Sequence, residues 1–312
     1  MPRHLAPSAE VLLATYNAER FLAPLMRSLL DQDWQNVRIV VRDDGSDDAT
    51  GQLLTRYEGL GVERRPTAPN RGAARSYMEL LAEAPAADVT LFADQDDVWY
   101  PDKVRRALAV LGTLPPDRPG LYCTSVDYVD ADLAPIGRSP AWPRAPSFAN
   151  ALVENIAMGC TIALNRPAAA LLKAVPYPDE AVMHDWWAYL VVSAFGTVIF
   201  DPEPSLAFRV HGEHLAHIPG SPVARAWTAV MRETAAGLLS RAIDQALAFD
   251  RLYGDDLKPT QRTLIERLAA TRKLTGRVRF TRESEIYRQF RADDIVLRAM
   301  VLAGRAASRA PA

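Results

Sequence analysis

Cysteine is almost missing from this chain: Cys123 and Cys160 are the two in 312 residues. Two cannot build a disulfide framework or a cysteine metal centre, so both are expected as satisfied core thiols. Long apolar runs are missing too. The longest, AYLVVSAFGTVIF at residues 188–200, is too short and too interrupted to cross a bilayer. The N-terminal residues lack the charged-then-apolar order of a signal peptide, and a cytoplasmic protein is the expectation. There is no internal repeat and no low-complexity segment, apart from an Ala/Arg-rich C-terminus expected to fray. His211, His214 and His217, at i, i+3 and i+6, do not share one helical face, which argues against a three-histidine zinc site.

A large overall charge is absent as well, the net value being -2. The balance is uneven along the chain. Residues 221–312 carry 17 Lys/Arg against 10 Asp/Glu, leaving 19 against 28 for residues 1–220. No nucleic-acid partner is expected. The basic C-terminal part is suited to a solvated helical face, to anionic lipid or to a phosphorylated partner. The rest of the composition, 49% hydrophobic and 24% charged, is that of an ordinary globular protein with enough length for a sizeable core.

The first hundred residues alternate short β-like runs with helical periodicity. EVLLAT is followed by a stretch in which Phe21, Leu22, Leu25, Met26, Leu29 and Leu30 recur at helical spacing. VRIVV reads as a buried strand, and Ser46 and Asp47 are cap candidates for the helix after it. A third unit runs from VERRP through NRGAARSYMELLAEA into DVTLFA. Such alternation predicts an α/β fold with a mostly parallel sheet covered by helices on both faces. Further on, residues 188–200 begin as a helix from HDWW, and TVIFDPEPSLAFRVHGEH predicts two short strands around a turn. The segment IPGSPVA marks a boundary between a first domain, residues 1–220, and a helical, basic extension, residues 221–312.

In such sheets ligands sit beyond the carboxyl ends of the strands. TYN at 15–17, DDGS at 43–46 and DQDD at 94–97 each follow an apolar run, so the three are expected at one edge. Asp94, Asp96 and Asp97 place three like charges in four positions, where each makes the next harder to ionise. A divalent cation would offset that repulsion, and the D-x-D spacing of Asp94 and Asp96 suits Mg2+ or Mn2+. Asp43 and Asp44 can accept from a base N–H or a ribose hydroxyl, and Arg71 and Arg75 are candidates for phosphate beside a helix start, with Asn70 as its cap. Asp185 lies between His184 and the pair Trp186, Trp187; a carboxylate beside aromatic surface is partly desolvated and becomes a better proton acceptor near neutral pH. The plain alternative is a helix cap with both indoles in the core. In RVHGEH, His211 is a candidate cation ligand and Arg209 a candidate for diphosphate.

Taken in order, LATYNAERFLAPLMRSLLDQDW, VRDDGSDDAT, NRGAARSYMELL, LFADQDDVWYPDKV, HDWW and FRVHGEH resemble glycosyltransferase family 2, and within it the rhamnosyltransferase-like branch of bacterial surface-polysaccharide synthesis, over about residues 9–217. The resemblance implies a GT-A fold, a divalent cation, and inverting transfer from a dTDP-, UDP- or GDP-sugar to a saccharide or lipid-linked acceptor. Carried over, Thr15, Tyr16 and Asp44 match positions that hold the base, with Asp43 as a helper. Asp94 matches the ribose or diphosphate side of D-x-D, Asp96 the metal side, and Asp185 the catalytic base. Beside Asp185, Trp186 and Trp187 are available to form an apolar acceptor wall. Asp97 completes the acidic set, and Arg209 and His211 match a late motif near the diphosphate. That motif usually reads Arg-Gln-His-Gly-Asn-Asn in the branch, so Glu213 and His214 leave the donor sugar open. Outside the resemblance, the +7 charge and helical periodicity of residues 221–312 suggest an accessory unit that faces lipid-linked acceptor, with peripheral contact at the inner face of the membrane.

Two other functions fit parts of the sequence. A Mg2+-dependent phosphohydrolase shares D-x-D-x-V with DQDDV, although that motif belongs on the first strand of its fold. A sugar- or nucleotide-binding module without activity would keep the same clusters, and Asp96 and Asp185 speak against it.

Overall fold

The alternation of the first hundred residues is realised element by element. The computed structural model describes residues 6–67, 69–211 and 237–304. In it β1 (Ala9–Thr15), α1 (Leu22–Leu30), β2 (Val37–Asp43), α2 (Thr50–Glu58), β3 (Glu63–Arg64), α3 (Ala73–Glu83) and β4 (Val89–Ala93) follow one another. β1 is buried over nearly its whole length, as a central strand covered on both faces must be. α1 turns Leu22, Leu25, Met26 and Leu29 inward, the i, i+3, i+4, i+7 stripe of a helix lying on a core.

The chain continues through β5 (Val98–Trp99), α4 (Lys103–Leu111), β6 (Gly120–Thr124), β7 (Asp127–Val129), β8 (Pro135–Arg138), α5 (Phe148–Ala151), β9 (Ala163–Asn165), α6 (Arg166–Lys173), α7 (His184–Phe195), β10 (Thr197–Asp201) and β11 (Leu206–Arg209). Seven strands form the main sheet in the order β10-β6-β9-β4-β1-β2-β3. β9 runs antiparallel to both neighbours and the remaining pairs are parallel, which is the mostly parallel α/β sheet expected. A smaller sheet has the order β5-β11-β7-β8. β10 and β11, expected as two strands around a turn, therefore belong to different sheets. β10 pairs with β6, and β11 with β5 and β7.

Four helices close the described chain: α8 (Leu238–Tyr253), α9 (Pro259–Ala270), α10 (Leu274–Glu283) and α11 (Arg291–Leu302). No helix among the described residues is long and apolar enough to cross a membrane. The chain divides into two compact units, one of residues 6–141, 157–176 and 195–211, the other of residues 142–156, 177–194 and 237–304. The boundary expected at residue 220 falls outside the described residues. Two segments expected in the first domain, 142–156 and 177–194, belong to the second unit instead. Aromatic packing is the reason: Trp187 meets Phe249 at 6.0 Å and Tyr253 at 6.3 Å between ring centres, and Phe148 meets Phe249 at 5.6 Å.

Side chains at helix starts correct one expectation and add a staple. Ser46 and Asp47 do not cap α2; Asp48 Oδ1 accepts from Thr50 N at 2.9 Å instead. Asn165 caps α6 by accepting from Ala168 N at 3.0 Å, while its Oδ1 also accepts from Gly120 N at 2.8 Å and its Nδ2 donates to the Arg118 carbonyl at 2.8 Å. One amide thus holds a helix start and the entry to β6. Close approach explains one glycine: a Cβ at Gly196 would lie 2.2 Å from the Pro119 carbonyl oxygen. Asn165→Ala leaves the Gly120 amide buried without an acceptor and removes the cap. It is expected to destabilise the protein by about 2 kcal/mol, read as a lower urea midpoint at unchanged slope.

Candidate active site

β2, β1 and β4 lie side by side in register, Thr15 opposite Asp43 and Leu13 opposite Ala93. The three polar clusters consequently leave the sheet at one edge, as expected. Side chains then lace them together. Gln95 accepts from Tyr16 N at 2.7 Å and donates to the Tyr16 carbonyl at 3.0 Å, extending the sheet by one amide. Ser46 Oγ donates to Asp43 Oδ1 at 2.6 Å and accepts from Asn17 N at 2.9 Å.

That lacing turns several expected ligand contacts inward. Thr15, Asp43 and Asp44 are buried. Thr15 Oγ1 donates to Asp43 Oδ1 at 3.1 Å, and the Asp44 carboxylate accepts from Arg71 N at 3.0 Å and Gly72 N at 2.9 Å, at the start of α3. A helix start offers unsatisfied N–H groups and a partial positive charge, so a neighbouring carboxylate is drawn to it. Asn70, expected as the α3 cap, accepts from Gly72 N at 3.0 Å, one residue ahead of the helix. Tyr16 remains 45% exposed. Arg71 and Arg75 are also exposed, with Arg71 Nη1 donating to Glu79 Oε1 at 2.6 Å.

The acidic loop separates its three carboxylates. Asp94 is half-buried, with the Tyr77 hydroxyl 2.7 Å from Oδ1. Burial and the Asp94 charge push the Tyr77 hydroxyl well above the ordinary tyrosine range, keeping it a donor. Asp96 faces the edge, its Oδ2 2.8 Å from His211 Nε2. Asp97 is fully buried, and its Oδ1 accepts from Arg209 N at 3.2 Å. Asp97 was expected among the metal ligands. It is buried, at the end of the turn that Asp97 N closes on the Asp94 carbonyl, and its neighbours among potential ligands are Asp94 and Cys160 rather than Asp96 and His211.

Below Asp97 lies Lys103, whose ammonium donates to the Cys160 carbonyl and stands 3.7 Å over the Trp99 ring. Burial pulls the Lys103 amine down to about 7, against the attraction of Asp97 and Asp94. Burial, reinforced by the charges of Asp96 and Asp94, pushes Asp97 well up, and burial raises the Cys160 thiol. Ligand atoms of Asp94, Asp97 and Cys160 lie within 4.8 Å of one another, a spacing a metal ion could use. Cys123 and Cys160 are both buried free thiols, as their scarcity suggested.

Asp96 and His211 are the pair that could hold a cation open to a ligand. Both are partly exposed, and neighbouring ligands of an octahedral site with bonds of about 2.1 Å lie about 3 Å apart, close to their 2.8 Å separation. Carboxylate with imidazole suits Mn2+ as well as Mg2+. Arg209, expected on the diphosphate, is buried; its Nε donates to the Asp96 carbonyl at 2.8 Å, its Nη1 to the Ala131 carbonyl, and its guanidinium stacks on Phe21 at 4.7 Å. Phe21 also stacks on His211 at 5.0 Å, and the exposed Arg20 lies over it at 4.8 Å. Arg20, Phe21, Tyr77, Gln95 and Lys103 were not anticipated. The signal for Arg20 was its place between the end of β1 and α1, a position shared with Tyr16.

In the second unit Asp185 sits in the first turn of α7, half-buried, with Oδ1 accepting from Trp186 N at 2.7 Å. Trp186 and Trp187 are core residues, which corrects the expectation of Trp186 at the acceptor. The Trp186 indole N–H donates to the Ala151 carbonyl at 2.6 Å, and Trp187 is wholly enclosed.

Comparison with known proteins agrees with this architecture. The uncharacterized glycosyltransferase alr2836 of a Nostoc species is 31% identical over 105 residues, 33% of this chain and 32% of that protein. The dTDP-rhamnosyl transferase RfbG of Shigella flexneri is 23% identical over 213 residues, 64% of this chain and 71% of that one. The matched stretch thus spans about a third of the Nostoc protein. Among solved structures, TarS 1-349 of Staphylococcus aureus in complex with UDP aligns with a TM-score of 0.57 at 17% identity, covering 89% of this chain and 76% of that one. The mannosyltransferase PcManGT of Pyrobaculum calidifontis, in complex with GDP-Man and Mn2+, gives 0.55 at 15% identity, covering 98% and 88%. At such identities the likeness establishes the shared GT-A fold. The model of glycosyl transferase family 2 matches residues 10–168, from the first strand past the acidic loop and into α6. This chain belongs to glycosyltransferase family 2.

Proposed function

We propose that the chain is an inverting glycosyltransferase that moves a sugar, rhamnose being one candidate, from a dTDP-, UDP- or GDP-sugar to a hydroxyl of a saccharide or lipid-linked acceptor in surface-polysaccharide synthesis. The observation that carries this reading is the Asp96–His211 pair, 2.8 Å apart at the edge where β1, β2 and β4 end. The relatives' dTDP-rhamnosyl, UDP and GDP-Man associations support a nucleotide-sugar donor. The phosphohydrolase reading loses ground because DQDD follows β4 rather than a first strand.

Bound there, Mg2+ or Mn2+ would supply positive charge against the leaving diphosphate. The chain's own residues divide the remaining work. Tyr16 offers an exposed ring for the base, and Arg20 takes over the diphosphate-facing role first given to Arg209. Asp185 is assigned the proton of the acceptor hydroxyl, which must leave as oxygen attacks the anomeric carbon from the face opposite the diphosphate. Asp94, anchored by Tyr77, is assigned the ribose or diphosphate edge. Peripheral membrane contact is supported by outward apolar side chains on the last two helices. Leu274 and Val278 stand one turn apart on α10, Ile295 and Leu302 two turns apart on α11, with Lys273, Arg282 and Arg291 exposed nearby.

Three measurements test this. Asp96→Ala is expected to weaken Mn2+-dependent nucleoside diphosphate binding at least about tenfold, read by titration calorimetry with and without the ion; equal affinity in all four conditions excludes the cation site. Asp185→Asn keeps shape and removes basicity, so transfer should fall roughly 10²–10⁴-fold with donor binding nearly intact. A variant impaired mainly in donor affinity would move the base elsewhere. Co-sedimentation with anionic vesicles at low salt should be lost in Leu274→Asp/Ile295→Asp, since the apolar contacts reinforce cations worth about 1 kcal/mol each near the surface.

A further inference from the structure

We infer that Asp97 is a positioning residue: its buried side chain latches the end of β11 to the acidic loop and so brings His211 to Asp96. The consequence for cation binding rests on the reading of Asp96 and His211 as ligands; the latch itself does not.

The latch spans 112 residues of sequence. Asp97 Oδ1 accepts from Arg209 N at 3.2 Å, and Arg209 Nε returns to the Asp96 carbonyl at 2.8 Å. These two bonds fix the last residue of β11 on both sides of the loop, and His211 follows two residues later. The loop is closed on itself by Asp97 N donating to the Asp94 carbonyl at 3.4 Å. Phe21 completes the arrangement, with its ring stacked on His211 at 5.0 Å and beneath the Arg209 guanidinium at 4.7 Å. None of these contacts needs a bound ligand.

Asp97 is 0% exposed, so the latch is made in the interior, where a hydrogen bond has no water competing for it. An acceptor removed from that position leaves the Arg209 amide buried without a partner. Asp96 and His211, by contrast, are both partly exposed, so the latch works from inside on a pair that faces outward.

The test reads the latch without donor, acceptor or turnover. Hydrogen exchange is followed in peptides covering residues 206–211, together with Mn2+ affinity by electron paramagnetic resonance. Asp97→Ala is expected to speed exchange there about tenfold and to weaken Mn2+ binding about 10- to 100-fold, as for other residues that orient a ligand. Asp97→Asn keeps an acceptor for the Arg209 amide and should change exchange by less than about threefold. If Asp97→Ala does not fold, the same measurements are made on Asp97→Leu, which fills a similar space without an acceptor. A purely structural role would lower thermal stability while leaving exchange at 206–211 and Mn2+ affinity of the folded protein unchanged, and that result overturns the inference. Faster exchange in a protein that binds no Mn2+ even as wild type would sustain the latch and remove the cation reading instead.

Discussion

Mutual repulsion among Asp94, Asp96 and Asp97 is the constraint from which much of the first unit follows. Each carboxylate receives a different answer. The Tyr77 hydroxyl stands against Asp94, the interior and the Arg209 amide receive Asp97, and the imidazole of His211 faces Asp96. Those answers come from α3 and from β11 with the residues after it, so the loop is held by elements far apart in sequence. A helix that covers the sheet, such as α3, also carries the hydroxyl that the loop requires.

The sheet itself supplies position rather than chemistry. Parallel strands in register end together, and polar residues placed after each run emerge at one edge without further instruction. Local bonding decides which of them stay available. Ser46, Gln95 and Thr15 use short side chains to tie neighbouring strand ends, leaving Tyr16 and Arg20 as the exposed large groups beside β1.

The fold was legible because it is written in local periodicity: β1, α1, β2, α2 and β4 each announce themselves by spacing alone. The convergence of TYN, DDGS and DQDD was legible for the same reason, since it depends on strand direction. What could not be read was which way each polar group points. Three aspartates in DQDD look alike in sequence, and Lys103 in YPDKV looks like a surface cation at a helix start, until burial separates Asp97 from Asp96 and encloses Lys103. Trp186 and Trp187 offered an acceptor wall on paper, but their partners Ala151, Phe249 and Tyr253 lie 35 or more residues away, beyond any local pattern. Membership of the two compact units is likewise set by contact between distant aromatic residues rather than by a change in composition.

The bond between Asp44 and the amides of Arg71 and Gly72 has a consequence for how any phosphate could be gripped. In nucleotide-binding proteins with a glycine-rich loop, the exposed amides at a helix start form the anion cradle. Here the two amides just ahead of α3, those of Arg71 and Gly72, are already taken by a carboxylate from the same protein. The loop before the helix is thereby tied to the end of β2, and it cannot lend those two amides to an anion without giving up that tie.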